Sequence, residues 1–202
     1  MLPFLWKHRE KPPLFTRPWF KSWAKRVRTF PALIAGLLRI QRLRAKGARI
    51  GAGTIIGPAK IRGAQRLTVG ENSFIGRAEI RAYAEIKIGS NVCINDRVLF
   101  LNGGHDLRHP AWTRTTAPIV IEDFAWIATG ATILAGVKVG RGAVVSACAV
   151  VSGDIPDFAL AFGNPAQVVE NVRTKSFSYS PVRSVALFNA WLGSPKLKAE
   201  ES

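Results

Sequence analysis

IEDFAWIATGATILAGVKVGRGAVVSACAVVSGDIP, residues 121–156, decides the fold of this 202-residue chain. Cut into sixes from Ile121, it places Ile121, Ile127, Ile133, Val139, Val145 and Val151 in the first column. The fifth column holds Ala125, Ala131, Val137, Ala143, Ala149 and Ile155. A helix repeats near 3.6 residues and a strand near 2, so a period of six belongs to neither alone. It describes a coil of short parallel strands, each rung too small to bury its apolar slot except against the next. The branched aliphatics stack in a file down the core, and the small residues fit where three faces crowd together.

Upstream the same period continues. Ile50, Ile56, Val69, Ile75, Ile88 and Ile94 each open a rung, and Gly follows five of them (51, 57, 70, 76 and 89). The starts at 50, 69 and 88 are nineteen apart rather than eighteen, so one extra residue per turn recurs at one corner, like a bulge. On the third face a strict count puts Arg62 and Arg81 where an aliphatic belongs, with Ile61 and Ile80 one residue away. After Phe100 the period breaks until Ile121, so residues 101–118 are expected to project from the prism as a loop. After Pro156 the chain is expected to leave the coil through PDFALAFGNPAQVV. A Ser-, Thr- and Arg-rich connector, a short helix around Val182–Leu192 and a polar tail should follow. The fold class is thus an all-β core, a parallel β-helix over residues 49–157. A helical N-terminal extension (1–48) precedes it and a short C-terminal extension (158–202) follows.

Charge is unevenly spread. The net charge is +16, and residues 1–46 carry twelve Lys or Arg against the single Glu10. Within that segment Phe20, Trp23, Val27, Phe30, Ile34 and Leu37 recur at threes and fours, predicting a helix from Phe20 to about Lys46. Pro31 should kink or divide it. Pro12, Pro13 and Pro18 keep residues 1–19 irregular, although Trp6, Phe15 and Trp19 are too apolar for a plain tail. Two uses of the segment stand side by side: it caps the open end of the coil, or its aromatic stripe and cations contact an anionic membrane. Nucleic-acid binding is not expected, because bulky aliphatics flank the cations and no reader motif occurs. Phe30–Leu38 is about half what a bilayer span needs, and Pro3, Lys7, His8, Arg9 and Pro12-Pro13 interrupt any secretory apolar run. A cytoplasmic protein, at most peripheral to a membrane, is the expectation. Cys93 and Cys148 occupy repeat slots that small apolar residues would fill, and nothing implies a disulfide scaffold.

Chemistry is expected in the projecting stretch, LNGGHDLRHPAWTRTTAPIVI (101–121). A long insertion in a regular solenoid is where function gathers. Gly103-Gly104 would permit unusual backbone angles before His105, setting that imidazole at the loop base. Imidazole suits general-base work near neutral pH. His105 and His109 have an HxxxH spacing, but Pro110 and the glycines oppose the helix that would align them, and His8 lies far off in the basic arm. No metal is expected. No nucleophile elbow, phosphate loop or paired-Cys zinc spacing occurs.

The hexapeptide rungs, NGGHD, TAPIVI, AWIATG and GNPA together resemble the left-handed β-helix acyltransferases. The likeness covers about residues 50–170 and falls in the branch of maltose, galactoside, nodulation-factor and colanic-acid O-acetyltransferases, nearest the colanic-acid type. It implies a left-handed coil, against the usual crossover hand, and a homotrimer with active sites between neighbouring prisms. It also implies acetyl-CoA as co-substrate and a saccharide hydroxyl as acceptor, in surface-polysaccharide or glycoconjugate assembly. By the resemblance His105 is the general base, and main-chain N–H groups hold the developing oxyanion. Trp126 would wall the pantetheine or acceptor, Thr129 would lie near the thioester, and Ala147 would contact the pantetheine arm. Ser152 and Gly153 would lie farther along the same edge, and Asn164 and Pro165 in the turn near the adenine. Asp106 would orient His105 or meet the acceptor. Ala82 stands where colanic-acid relatives carry an acceptor-orienting Asn, beside Arg81 and Tyr83, with Asn95 or Asn102 as candidate substitutes. That departure bears on the acceptor, which a lipid-linked saccharide would also satisfy. Two other classes share the architecture: a non-catalytic scaffold docked at a membrane, and a metal-dependent hydratase.

Overall fold

Three files of inward side chains run the length of the coil, one from each face. Face A stacks Ile50, Val69, Ile88, Ile121 and Val139 across parallel strands, from Arg49–Ile50 at one end to Lys138–Val139 at the other. Face B stacks Ile56, Ile75, Ile94, Ile127, Val145 and Ala161. Face C stacks Ile61, Ile80, Phe100, Ile133 and Val151. All of these except Ile61 are buried, and each aliphatic fully withdrawn from water contributes roughly 1.5–3 kcal/mol. The mostly parallel sheets form a left-handed β-helix with a helix at its N-terminal end. This computed structural model describes residues 5–7, 9–184 and 191.

The third face settles its own register. Ile61 and Ile80 turn inward, and Arg62 and Arg81 face solvent. The face C strand therefore arrives one residue early, and the C–A corner absorbs the difference, in the first turn through a 3-10 turn at Ala64–Arg66. Glycine follows the rung openers because successive coils lie close at the A–B and B–C corners. A Cβ on Gly51 would meet the Gly70 carbonyl at 2.6 Å. Ile155 leaves its column: four residues after Val151, it bridges to Val139 and returns to face A. The coil then runs beyond Pro156, with Leu160–Phe162 pairing to Val144–Val145 and Gln167–Val169 folding back antiparallel on it.

One helix, Arg17–Ala45, precedes the coil and is not divided by Pro31, which lies inside it. Thr16 caps it by accepting the Trp19 N–H, and Pro18 sits in the first turn, where a missing N–H costs nothing. Its covered stripe is Arg26, Leu33, Gly36, Ile40 and Leu43. Phe20, Val27 and Phe30, from the expected stripe, are exposed. Ile40 and Leu43 close the open first coil over Ala48 and Ile50. Arg39 and Arg44 donate to the Ile56 and Ile50 carbonyls at 2.9 and 2.6 Å, occupying acceptors that no lower rung can reach. Capping is thus a property of one helix face.

Beyond the coil, residues 171–180 strap the A–B edge. Arg173 donates to the Phe124 and Gly142 carbonyls, and Phe177 stacks on Phe124 with centroids 4.8 Å apart. Pro181–Ser184 form a 3-10 turn. Most of the helix expected around Val182–Leu192, and the polar tail, lie outside the described residues.

Candidate active site

The insertion after face C is a hairpin. Gly103–His105 pairs antiparallel with Arg114–Thr116, setting His105 opposite Arg114. It leaves the coil at the C–A edge, between Leu99–Leu101 and Ile119–Ile121. The His105 ring is exposed and stacks on Trp112, with centroids 3.9 Å apart and planes 16° from parallel. Its Nδ1 lies 2.8 Å from the Trp112 carbonyl oxygen. A carbonyl only accepts, so Nδ1 carries the hydrogen, and in the neutral ring Nε2 keeps its lone pair.

The glycines before His105 serve another purpose than expected. Neither has positive φ. A Cβ on Gly103 would meet Tyr83 Cδ2 at 2.5 Å, so Gly103 is bare to admit the Tyr83 ring at the hairpin base. Tyr83 is 45% exposed and stands beside the strand that carries His105.

Asn102 is not a substrate residue in this arrangement. It is wholly buried and saturated by backbone: Oδ1 accepts from the Tyr83 and Ala84 N–H groups, and Nδ2 donates to the Ala84 and Glu85 carbonyls. It pins the corner below the hairpin. Ala82 is buried as well. Asp106 turns onto its own loop, where its carboxylate accepts the Arg108 N–H at 2.9 Å, so the Trp112 carbonyl orients His105 instead. Arg81 and Glu79 share the outer surface of face C and pair at 2.6 Å; this hydrogen bond holds the Glu79 carboxyl below its ordinary range. His109 accepts the Ala111 N–H through Nδ1. No group of three metal-binding side chains occurs among the described residues, and His8 lies outside them.

The residues matched to the coenzyme divide between two edges. Thr129, Ala147, Asn164 and Pro165 follow face B strands and stand on the B–C edge. Ser152 and Gly153 follow Val150–Val151 of face C and stand on the C–A edge, the edge of the hairpin rather than that of Thr129. They directly follow the face C opener Val151, and Ile155 rejoins face A four residues after it. Trp126 projects from face B, 41% exposed, and donates through Nε1 to Asn95 Oδ1 at 3.2 Å.

A cavity of about 480 Å³ opens on the B–C edge, lined by Phe74, Arg77, Asn95, Asp96, Arg97 and Thr129. Apart from Asn95, none of its lower residues stood out in the sequence. They occupy corners, where the apolar period says nothing about outward side chains. Above it the edge is built of small exposed groups, Ala147 and Cys148 among them. Among the described residues, the coil's hydrogen bonds do not use the Thr129 and Ala147 N–H groups. Within one coil, face C separates this edge from the His105 hairpin.

The six-repeat bacterial transferase hexapeptide model matches residues 118–153. A solved hexapeptide-repeat acetyltransferase from Vibrio cholerae O1 biovar eltor, complexed with acetyl coenzyme A, superposes with a TM-score of 0.64 and 25% identity. That match covers 86% of this chain and 98% of the other. A maltose O-acetyltransferase from Clostridium difficile 630 gives 0.60 and 26%, over 67% and 75% of the two chains. In sequence, a 2,3,4,5-tetrahydropyridine-2,6-dicarboxylate N-acetyltransferase from Staphylococcus aureus strain JH9 is 45% identical over 56 residues, 28% of this chain. The match spans only 23% of the length of that curated relative. Residues 118–153 thus match bacterial transferase hexapeptide repeats, and the chain shares its left-handed β-helix fold with solved hexapeptide-repeat acetyltransferases.

Proposed function

We propose that this chain is an acetyl-CoA-dependent O-acetyltransferase acting on a saccharide hydroxyl, with His105 as general base. The observation that carries the reading is the His105 tautomer. The Trp112 carbonyl holds Nδ1 at 2.8 Å and leaves Nε2 as the proton acceptor on an exposed ring. His105 takes the hydroxyl proton as the acceptor oxygen bonds to the thioester carbonyl carbon. When the C–S bond breaks, the imidazolium returns that proton to the sulfur, giving the acetyl ester and free thiol. No covalent enzyme intermediate is needed. A base so placed is worth about 10²–10⁴-fold in rate.

The B–C edge fits the thioester and its pantetheine arm. Its small residues leave the backbone accessible, and the unused Thr129 and Ala147 N–H groups suit an amide or a developing oxyanion. His105 and that edge lie across face C from each other, so the site is completed between two copies, and a homotrimer closes three such grooves. Buried Ala82 and buried Asn102 leave acceptor selection to Tyr83, Arg81 and the cavity residues Arg77, Asn95 and Arg97. The O-acetyl reading follows the maltose relative, while the N-acetyltransferase relative makes amino sugars the natural controls.

Thiol release from acetyl-CoA, followed across a panel of saccharides and amino sugars, tests the proposal. His105→Ala should lower turnover by about 10²–10⁴ with its circular dichroism unchanged. A variant as active as its parent removes the base assignment. Absence of acetyl-CoA binding by calorimetry favours the scaffold reading instead.

A further inference from the structure

The long helix has two apolar faces, and the coil covers only one. Leu33, Gly36, Ile40 and Leu43 are buried, while Phe20 (57% exposed), Val27 (69%), Phe30 (45%) and Leu38 (46%) look outward. Phe20, Val27, Phe30, Ile34 and Leu38 follow one stripe at 3.6 residues per turn. Just before the helix, Leu14 and Phe15 are more exposed still. An aromatic cluster continues the surface: Trp19 meets Phe20 edge-on at 4.9 Å, and Trp6 meets Trp23 at 6.4 Å. Arg17, Lys21, Lys25, Arg28 and Arg42, all exposed, form a second stripe along one border of the first. The helix contains no acidic residue.

We infer that this outer face docks on an anionic lipid surface, with the helix lying flat in the headgroup layer. The helix is not long and apolar enough to cross a membrane. A long apolar stripe beside a cationic one is the pattern of helices that rest at an interface, with Trp and Phe entering the acyl boundary and Lys and Arg reaching phosphates. A second copy of the chain is the poorer occupant. Residues 1–46 carry twelve cations against one Glu, and the remainder of the chain is also net basic. A contact between two copies of this face therefore sets like charges together, whereas an anionic surface complements both stripes. The inference does not depend on the acetyl-transfer reading. It explains why large apolar groups persist on a face that neither caps the coil nor belongs to the candidate site.

Co-sedimentation of the full chain with vesicles tests it. The protein should pellet with vesicles of phosphatidylglycerol and phosphatidylcholine and stay in solution with phosphatidylcholine alone. Phe20→Ser, Val27→Ser and Phe30→Ser combined should lower the bound fraction at least tenfold, with unchanged melting temperature and unchanged mass by light scattering. Lys21→Glu, Lys25→Glu and Arg28→Glu should do the same. No pelleting of the parent chain overturns the inference, as does binding that survives loss of the apolar stripe. A triple-serine variant that falls to a smaller oligomer also overturns it, and assigns the face to contact between copies.

Discussion

Both contacts that set the His105 ring come from Trp112: its carbonyl fixes the tautomer and its indole stacks on the imidazole. Trp112→Ala keeps the carbonyl and loses the stack. We expect kcat to fall about tenfold, less than the roughly 10²–10⁴-fold lost when the base itself is removed, with KM for acetyl-CoA and the melting temperature unchanged. A shifted melting temperature with unchanged kcat would make the indole a structural prop only. The two thiols should also differ. Burial pushes Cys93 up to about 11, against the opposing pull of Arg173, while Cys148 is exposed on the B–C edge. At pH 8 Cys93 remains a protonated thiol, so iodoacetamide should label Cys148 first, as peptide mapping would show. Rapid labelling of Cys93 would contradict its packing between Phe74 and Trp126 on face B. The place of His105 on a projecting segment was legible because an insertion breaks a strict period beside it. The backbone role of Asn102 was not legible, because an amide that binds a sugar and one that binds backbone look identical in sequence.

At the scale of elements, the corner below the hairpin holds the site in place. Asn102 joins two N–H donors and two carbonyls of the preceding turn. Asn102→Ala leaves those buried groups unpaired and should cost about 1–3 kcal/mol, read as a lower denaturant midpoint at constant m value. An unchanged midpoint would mean that water replaces the amide. The hairpin itself was legible only as an interruption, since its strands carry Gly, His, Arg and Thr rather than an alternating apolar pattern. The helix was legible in type but not in facing. Apolar residues line two of its sides, and periodicity alone cannot tell the side that meets Ile50 from the side that meets solvent. The third face was ambiguous for a related reason: Ile61–Arg62 and Ile80–Arg81 offer two registers, and only stacking against Phe100 chooses between them.

For the whole molecule, the three edges divide the work. The C-terminal strap closes the A–B edge, the B–C edge carries the cavity and the small-residue track, and the C–A edge projects His105. The repeat made the coil legible from residues 121–156. The same count places Ser152 and Gly153 just after a face C opener, on the C–A edge, and conceals only the four-residue corner by which Ile155 returns to face A. Since one coil holds its base and its cavity on different edges, the protein should have the mass of a homotrimer in solution, and a stable active monomer would remove the shared groove. The most direct test is a structure of the protein with coenzyme A bound. The thiol end should lie in a crevice between two copies, against the B–C edge of one and beside His105 Nε2 of its neighbour. A coenzyme bound away from every His105 ring would contradict it.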